Sequence, residues 1–421
     1  MMNNGNVMFK MTMIVGLNAF MYILLDLSMY DECGTGTLKN EMLLPISEGS
    51  SSSSSSSSRI IIKSNSLMTY RNPDIIANGC ALTILFVDPR VTKAKAKSET
   101  WWSLESMATN VIPKNRTCVV IQTSSTNCGG SITAPAQIYK HITSSALPRF
   151  RSMIDMGNVR VDFLTAGDPY AIGHCKWNVN RLFMHPNYWQ DEFVPQDSDL
   201  VIVLQPDSVF CHAFDVSRWT DLAFVGGVWP PKPNTHNNPA PPAGVCHQIP
   251  LLWKQWGHNE DEAFPDVCTD GRAPLGNGGF SLRSRHWMTK ATNTCPSFNF
   301  HQFNTKCVNK GDVAEDLYFA TVLPGINAPM PNPIEAALFG VEMIFLEKVM
   351  EYYANETQVN ELETIVQKRW GDIDKFNRMR QIGTTIPIGM HKPYWYHNKK
   401  FLASPYMKKE CPFLGYILPK Y

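Results

Sequence analysis

Two aspartates directly follow predicted β-strands, at positions where a carboxylate can contact a bound ligand. Asp88 follows the apolar run CALTILFV, and Asp207 follows VIVLQP. Ligands of parallel α/β sheets bind at the carboxyl ends of the strands, so we expect both acids to face a binding crevice. The alternative is that they are turn residues, since aspartate is common in turns.

A glycine-rich segment, GNGGFSLRSR, occupies residues 276–285. Its first four positions hold three glycines and one asparagine, which allow a sharp bend and the close approach of a ligand to the backbone. The letters FSLRS then predict a further strand. A purely structural hairpin is the alternative interpretation.

Three more side chains that could do chemistry lie in the C-terminal third of the chain. The pattern DVAEDLYFATVL predicts a helix with Glu315 and Asp316 in its first turn. Acids at that end are stabilised by the helix dipole, so a structural cap is the alternative to a functional role. His391 follows in IPIGMHKPYWY, where a single histidine is more often structural than a ligand.

The elements that must position these residues alternate between strand and helix patterns. The strand-like runs are CALTILFV, CVVIQTSS, VRVDFLTA and VIVLQ, and the helix-like segments between them are SETWWSLESMATNVI, AQIYKHITSSALPRFRSMI and NVNRLFMHPNYWQDEF. Such alternation predicts right-handed βαβ units in a mostly parallel, Rossmann-like α/β sheet flanked by helices. The basic and acidic residues, 38 and 37 in number, nearly cancel, so we expect no nucleic-acid partner.

The N-terminus bears on the compartment. Between Lys10 and Asp26 lie fifteen uncharged residues, and no small-residue cleavage site follows them. This favours a cytosolic tail and signal anchor over residues 1–30, with a cleaved signal peptide or a buried helix as alternatives. Glycosylation sequons at Asn115 and Asn355 agree with a lumenal body.

A serine-rich stem is expected after the anchor. Nine consecutive serines in EGSSSSSSSSSR cannot bury enough apolar area to fold, so residues 31–69 should form a flexible tether. The folded body should begin between residues 60 and 70 and form one domain over 70–421. Within it, the Pro-rich segment 230–270 is expected to be a long loop, either a lid over the acceptor or a surface insertion.

The chain has eleven cysteines and no CxxC pair, which favours disulfides over zinc ligation. An odd number leaves one thiol free, intermolecular or simply buried. Near neighbours in the sequence are Cys246 with Cys268 and Cys295 with Cys307.

Six short segments together carry a resemblance to a known fold. They are VDPR, QPDSVFC, GNGGFSLRSR, EDLYF, FGVE and GMHKPYWY. An acid after a strand, a glycine loop, an ED pair and a late histidine, in that order, resemble the core of GT-A-fold glycosyltransferases. More narrowly, the segments are similar to those of a family of uncharacterised glycosyltransferase-like proteins of fungi and algae. The similarity covers roughly Ala81 to Tyr396.

The resemblance implies a role for each candidate residue. Asp207 and His391 would bind Mn²⁺ or Mg²⁺, since hard oxygen ligands suit both ions and a histidine favours Mn²⁺. Asp316 would be the base that accepts the proton of the attacking hydroxyl, with Glu315 as a second catalytic or acceptor-holding acid. The implied nucleotide-sugar contacts are Asp88, Arg90, Asp207 and Ser208, and the implied acceptor loop is Gly276, Asn277, Gly278 and Gly279.

The chain departs from the GT-A pattern at one position. Gln205, Pro206 and Asp207 stand where a DxD motif has two acids, so only one carboxylate is available to a metal there. The expected function is therefore sugar transfer from a nucleotide-sugar donor, metal-assisted and inverting, with an inactive lumenal binding or scaffolding protein as the alternative. A hydrolase is disfavoured, because the chain has neither a G-x-S-x-G elbow nor an H-E-x-x-H helix.

The expected setting follows from the anchor and the fold together. The protein would be a type II membrane protein of the Golgi or endoplasmic reticulum with a lumenal catalytic body. Its partners would be the nucleotide-sugar donor, the membrane at the N-terminus, and a glycan, protein or lipid acceptor.

Overall fold

A computed structural model of the protein describes most of the chain after residue 59. The described residues are 59–62, 68–71, 79–88, 98–124, 135–164, 179–185, 188–190, 198–229, 275–276, 278–294 and 315–417. The predicted anchor, the serine run, segment 230–270 and the four cysteines from Cys246 to Cys307 lie outside them. Among the helices described, none is long and apolar enough to cross a membrane.

The strands belong to one large sheet and two small ones. They are β1 Arg59–Ile62, β2 Met68–Arg71, β3 Leu82–Val87, β4 Val111–Ile112, β5 Thr117–Ser124, β6 Val159–Leu164, β7 Leu200–Leu204, β8 Ser208–Phe210, β9 Phe214–Asp215, β10 Phe224–Val225, β11 Phe280–Ser284, β12 Gly340–Val341 and β13 Gly389–His391.

The helices pack around these sheets. They are α1 Ser98–Asn110, α2 Pro135–Ser145, α3 Pro148–Asp155, α4 Val179–Met184, α5 Arg285–Thr294, α6 Glu315–Gly325, α7 Pro333–Phe339, α8 Leu346–Tyr353, α9 Glu356–Asn360, α10 Leu362–Arg369, α11 Ile373–Ile382, α12 Pro393–Tyr396, α13 Lys399–Leu402, α14 Pro405–Glu410 and α15 Leu414–Ile417.

The large sheet has the strand order β1-β2-β6-β5-β3-β7-β11-β10. Strands β6, β5, β3 and β7 are parallel neighbours, while β2 and β11 run against them. Because β1 and β10 reverse direction once more, six of the eight strands point the same way. The predicted α/β fold with a mostly parallel sheet flanked by helices is confirmed.

The apolar composition of the central strands explains their position. Every residue of β3 and of β7 is buried, as expected for parallel strands covered by helices on both faces. Register then aligns their ends: Phe86 of β3 lies opposite Leu204, and Phe280 of β11 lies opposite Leu204 on the other side. The residues that follow β3 and β7, and the loop that precedes β11, therefore meet at one edge.

A small sheet, in the order β12-β13-β8, continues from that edge. Strand β8 starts four residues after β7 and pairs antiparallel with β13, so that Ser208 lies opposite His391. Aromatic contacts join the two sheets, with the ring centroids of Phe210 and Phe280 4.9 Å apart and those of Phe280 and Phe339 5.1 Å apart. The C-terminal strand is thereby held against the end of β7.

Two disulfides cross-link the described residues. Cys80, just before β3, is bonded to Cys118 in β5. Cys211, directly after β8, is bonded to Cys411 at the end of α14. The second bond connects residues 200 positions apart and holds the C-terminal helices against the small sheet.

The structure differs from two helix predictions. The segment 136–154, predicted as one helical run, forms α2 and α3, because Pro148 occupies the first turn of α3 and cannot continue a preceding helix. Of the helical segment predicted after β6, the described residues 179–185 and 188–190 contain one short helix, α4. Strands β1 and β2 begin within the predicted tether 31–69, so residues 59–62 and 68–69 belong to the sheet, close to where the folded body is expected to begin.

Candidate active site

The candidate site lies where β7 ends. Gln205, Pro206 and Asp207 form the turn between β7 and β8, and Ser208 donates a backbone hydrogen bond to the carbonyl of Gln205 at 3.0 Å. The pairing of β8 with β13 then places His391 beside this turn, and the Lys392 amide donates to the Asp207 carbonyl at 3.1 Å. Two predicted metal ligands that are far apart in sequence are thus neighbours.

His391 is buried among three oxygen-bearing side chains. Its Nε2 lies 3.1 Å from Gln205 Oε1 and 3.4 Å from Asp207 Oδ1. Its Nδ1 lies 3.3 Å from Glu342 Oε1, and the imidazole is only 4% exposed. One ring nitrogen therefore faces the turn after β7, and the other faces a carboxylate beyond β12.

The charges of this cluster shift its titration. Burial alone would lower the pKa of His391, but the carboxylates of Asp207 and Glu342 outweigh it and raise that pKa to about 9. Burial alone would raise the pKa of Asp207, but the charge and hydrogen bonding of His391 and the charge of Lys392 lower it to about 2. Asp207 is therefore a carboxylate throughout the neutral range.

The contacts around His391 partly fit a site for a divalent metal. Asp207 Oδ1 is buried, and it faces His391 Nε2 at 3.4 Å. Both this oxygen and Gln205 Oε1 lie within 3.4 Å of His391 Nε2, and an amide oxygen is an accepted ligand for hard cations. Glu342 contacts the far ring nitrogen, which is the arrangement that orients metal-bound histidines.

The candidate ligands are of the kinds that Mn²⁺ and Mg²⁺ accept, but they are few in number. Among the residues described, no three His, Cys, Asp or Glu side chains converge on one metal position. The third candidate ligand is the side-chain amide oxygen of Gln205, which stands in place of a second carboxylate. A metal at Nε2 would also have to displace the imidazole proton, because ligands must be deprotonated.

The glycine loop touches the histidine cluster through its last residue. The carbonyl of Gly279 accepts from the Gln205 amide and from Ser208 Oγ, both at 2.8 Å. A Cβ on Gly279 would overlap the imidazole of His391. This position therefore needs glycine for close approach and not for an unusual turn. Ser208 is buried and its hydroxyl holds this loop, and its predicted contact with the donor stays a prediction.

The other end of the loop touches the ED pair. Gly278 N donates to Asp316 Oδ2 at 3.3 Å. Asp316 is half-buried, whereas Glu315 is buried and forms an ion pair with Arg283 of β11 at 2.9 Å. Gly278 and Gly279 thus link the ED pair at the start of α6 to the histidine cluster.

Asp88 lies at the same edge but deeper. It is buried, its amide donates to the Gln122 carbonyl at 3.1 Å, and its Oδ2 accepts from Thr100 Oγ1 at 3.2 Å. Thr100 belongs to the first turn of α1, so Asp88 ties that helix to the end of β3. Its predicted contact with a donor stays a prediction.

Of the three remaining predicted site residues, the structure describes only Gly276. Gly276 donates its amide to the Gly227 carbonyl at 2.9 Å and lies against the Trp229 indole, where a Cβ would overlap the ring. Arg90 and Asn277 lie outside the described residues.

Sequence reasoning missed three residues that complete the site. Glu342 stands in the segment FGVE, for which the sequence predicts no role. Gln205 stands where the GT-A pattern has an acid, and Arg283 is a charge inside the apolar strand pattern FSLRS. A charged residue within a strand that is otherwise buried was the available signal for Arg283.

One segment of the chain matches a known protein family. Residues 169–357, just under half of the chain, match a family described as a protein of unknown function, DUF5672. That range includes Asp207, Gly278 and Asp316 but neither Asp88 nor His391. No curated protein sequence matches the chain.

One solved structure that the chain resembles is the crystal structure of mouse xyloside xylosyltransferase 1 in its apo form. The sequence identity is 9% and the TM-score is 0.37, over 74% of this chain and 97% of that chain. At this level the likeness carries no argument about activity.

Proposed function

We propose that the protein is a glycosyltransferase that moves a sugar from a nucleotide-sugar donor to a hydroxyl acceptor. The observation that carries the proposal is the meeting of four segments at the carboxyl end of β7. The turn 205–207, the glycines 278–279, the start of α6 and the end of β13 come from distant parts of the chain. Together they bring a buried carboxylate, a histidine, a close-approach loop and a second, half-buried acid to the edge where α/β sheets bind ligands.

The buried carboxylate and the histidine would bind the nucleotide-sugar donor through a metal ion. Asp207, Gln205 and His391 would hold Mn²⁺ or Mg²⁺, with Glu342 orienting the imidazole. The bound ion would supply Lewis-acid neutralisation of the diphosphate leaving group. Asp88, Arg90 and Ser208 would complete the donor side of the edge.

The second acid would serve the acceptor. Asp316 would accept the proton of the attacking hydroxyl while the bond between sugar and diphosphate breaks and the new glycosidic bond forms. Its Oδ2 is oriented by the Gly278 amide at 3.3 Å. A base acting opposite the leaving group inverts the anomeric centre, and retention would require a different arrangement of the two acids.

The proposed setting is the secretory lumen, with an N-terminal anchor. Two disulfides support an oxidising compartment. Asn355 is exposed and caps α9 through its side-chain oxygen, so its amide nitrogen can carry a glycan without loss of that cap. Digestion with a glycosidase and carbonate extraction of membranes test this, and a soluble, unglycosylated product would contradict it.

The decisive experiment is a screen of nucleotide sugars with the purified lumenal body, with and without Mn²⁺. Release of free nucleotide from one donor supports transfer chemistry. Tight binding of a donor without release, in the presence of candidate acceptors, would favour the inactive binding or scaffolding protein. Absence of binding to every nucleotide sugar would refute the proposed function.

A further inference from the structure

The ion pair between Arg283 and Glu315 is the most enclosed charge pair at the site. Arg283 Nη1 lies 2.9 Å from Glu315 Oε2, and Nη2 donates to Glu315 Oε1 at 3.0 Å. The side chains are 0% and 4% exposed. One hydrogen bond and one close contact between opposite charges thus hold the two groups together, and the planar guanidinium limits their relative orientation.

Stability alone does not explain this pair. The Arg283 guanidinium lies over four aromatic rings, at 4.8 to 5.9 Å from their centroids. These rings belong to Phe183, Trp189, Phe224 and Phe319. Burying two charges in apolar surroundings costs free energy that well-packed hydrophobic residues would not cost, so a buried pair is weak evidence for a stabilising role.

The pair instead holds the glycine loop. Arg283 Nη2 donates to the carbonyl of Gly278 at 3.3 Å, and Nε donates to Ser281 Oγ at 2.9 Å. Ser281 Oγ in turn donates to the Gly278 carbonyl at 3.3 Å. The Glu315 carboxylate occupies the space that a Cβ on Gly278 would need.

The same loop residue contacts the next acid in the chain. Gly278 N donates to Asp316 Oδ2, so the peptide of Gly278 is held on its carbonyl side by Arg283 and on its amide side by Asp316. Through its ion pair with Arg283, Glu315 attaches the start of α6 to β11. The position of the adjacent residue, Asp316, is thereby fixed as well. Arg283, Glu315, Gly278 and Asp316 form one closed set of contacts.

We propose that the Arg283–Glu315 pair is a positioning device that holds Asp316 and Gly278 in their working arrangement, and that Glu315 does not touch the acceptor. This rests on the proposed function, in which Asp316 is the base. Glu315 and Arg283 act through Asp316, so their loss should slow the reaction without weakening the binding of either substrate.

The test compares Glu315→Gln with a matched control, Glu335→Gln. Glu335 forms a similar buried pair with Arg369, at 2.7 Å and with 10% and 1% exposure, and Arg369 lies 5.2 Å from the Trp219 ring centroid. That pair is built into α7 and α10, and in the described part of the chain neither side chain forms a hydrogen bond or ion pair with Gly278 or Gly279. Turnover at saturating substrate, donor and acceptor KM, melting temperature and hydrogen exchange of the Gly278 and Gly279 amides are measured for both.

Glu315→Gln should reduce kcat by about 10²-fold with KM unchanged, since a misplacement of about 1 Å can cost that much. It should also speed exchange at the loop amides. Glu335→Gln should lower the melting temperature by a similar amount and leave kcat and loop exchange as in the wild type. The double variant Arg283→Met with Glu315→Leu fills the aromatic surroundings with apolar groups and should recover stability but not turnover.

Any of three results would overturn the inference. Glu315→Gln could lose no more kcat than Glu335→Gln, or it could raise the acceptor KM while retaining kcat. The double variant could recover turnover together with stability. If the wild type releases nucleotide from no donor, the proposed function fails and the exchange measurement alone decides. Faster loop exchange in Glu315→Gln than in Glu335→Gln then still supports the anchoring role, and equal exchange overturns it.

Discussion

Replacing Asp316 with asparagine separates a base from a helix cap by magnitude. The carboxylate stands in the first turn of α6 and accepts from the Gly278 amide at 3.3 Å. Asparagine keeps the size and an acceptor oxygen, so the hydrogen bond can persist. What disappears is the charge and the ability to take a proton.

The two roles differ in size. Loss of a favourable charge at a helix N-terminus costs about 0.3 to 1 kcal/mol of stability. Loss of a general base lowers the rate by about 10² to 10⁴, which corresponds to roughly 3 to 5 kcal/mol in the barrier. We therefore expect Asp316→Asn to bind the donor normally, to melt within a few degrees of the wild type, and to lose at least about 10² in turnover.

The assay measures nucleotide release and thermal unfolding side by side. Asp372→Asn is a matched control, because Asp372 caps α11 by accepting from the Lys375 amide at 2.8 Å and makes no contact with Gly278. It should show the stability change without the rate change. Near-normal turnover in Asp316→Asn, or a defect confined to its melting temperature, would refute the assignment of an inverting base and favour a retaining mechanism or a non-enzymatic role.

Three further predictions address the rest of the fold. Gly279→Ala should lower the free energy of unfolding by about 1 to 3 kcal/mol and weaken Mn²⁺ binding measured by calorimetry, because its Cβ would displace the imidazole of His391. Unchanged Mn²⁺ affinity would contradict the proposed role of His391 as a metal ligand. Cys411→Ala breaks the bond to Cys211 and should lower the free energy of unfolding in denaturant by about 2 to 5 kcal/mol, and a smaller change than this would mean that the cross-link adds little. Burial and the nearby Lys375 charge lower the pKa of His212 from 6.5 to about 3, so the folded protein should lose stability as pH falls from 6.5 towards 3, by up to about 1.4 kcal/mol per pH unit. Unfolding measured at pH 7 and pH 5 should show a smaller difference for His212→Gln, and an equal difference would rule out this histidine as the cause.

Much of the fold could be predicted because the signals are local. The apolar runs of β3, β5 and β7 are readable since strands buried on both faces need no alternation of polar residues. The helix that begins at Glu315 is readable from its first-turn acids. Alternation of strand and helix then limits the topology to a parallel sheet, which is the arrangement found at its centre.

Other features could not be predicted because spacing does not identify a distant partner. His391 meets Gln205 across 186 positions, and only the pairing of β13 with β8 brings them together. Cys211 and Cys411 are 200 positions apart, and nothing in the spacing of the cysteines identifies them as partners. Such contacts depend on how the whole sheet packs.

The adjacent acids Glu315 and Asp316 show most clearly where the division falls. The sequence by itself determined that both stand at a helix start and that Asp207 follows a buried strand, because hydrogen-bonding and side-chain periodicity act over a few residues. Only the tertiary structure decided that Glu315 turns inward to Arg283 while Asp316 contacts the Gly278 amide. The physical reason is that neighbouring helix positions point about 100° apart, so only one of two adjacent acids can face the core. A carboxylate buried there needs a partner of opposite charge, and Arg283 of the sheet supplies it.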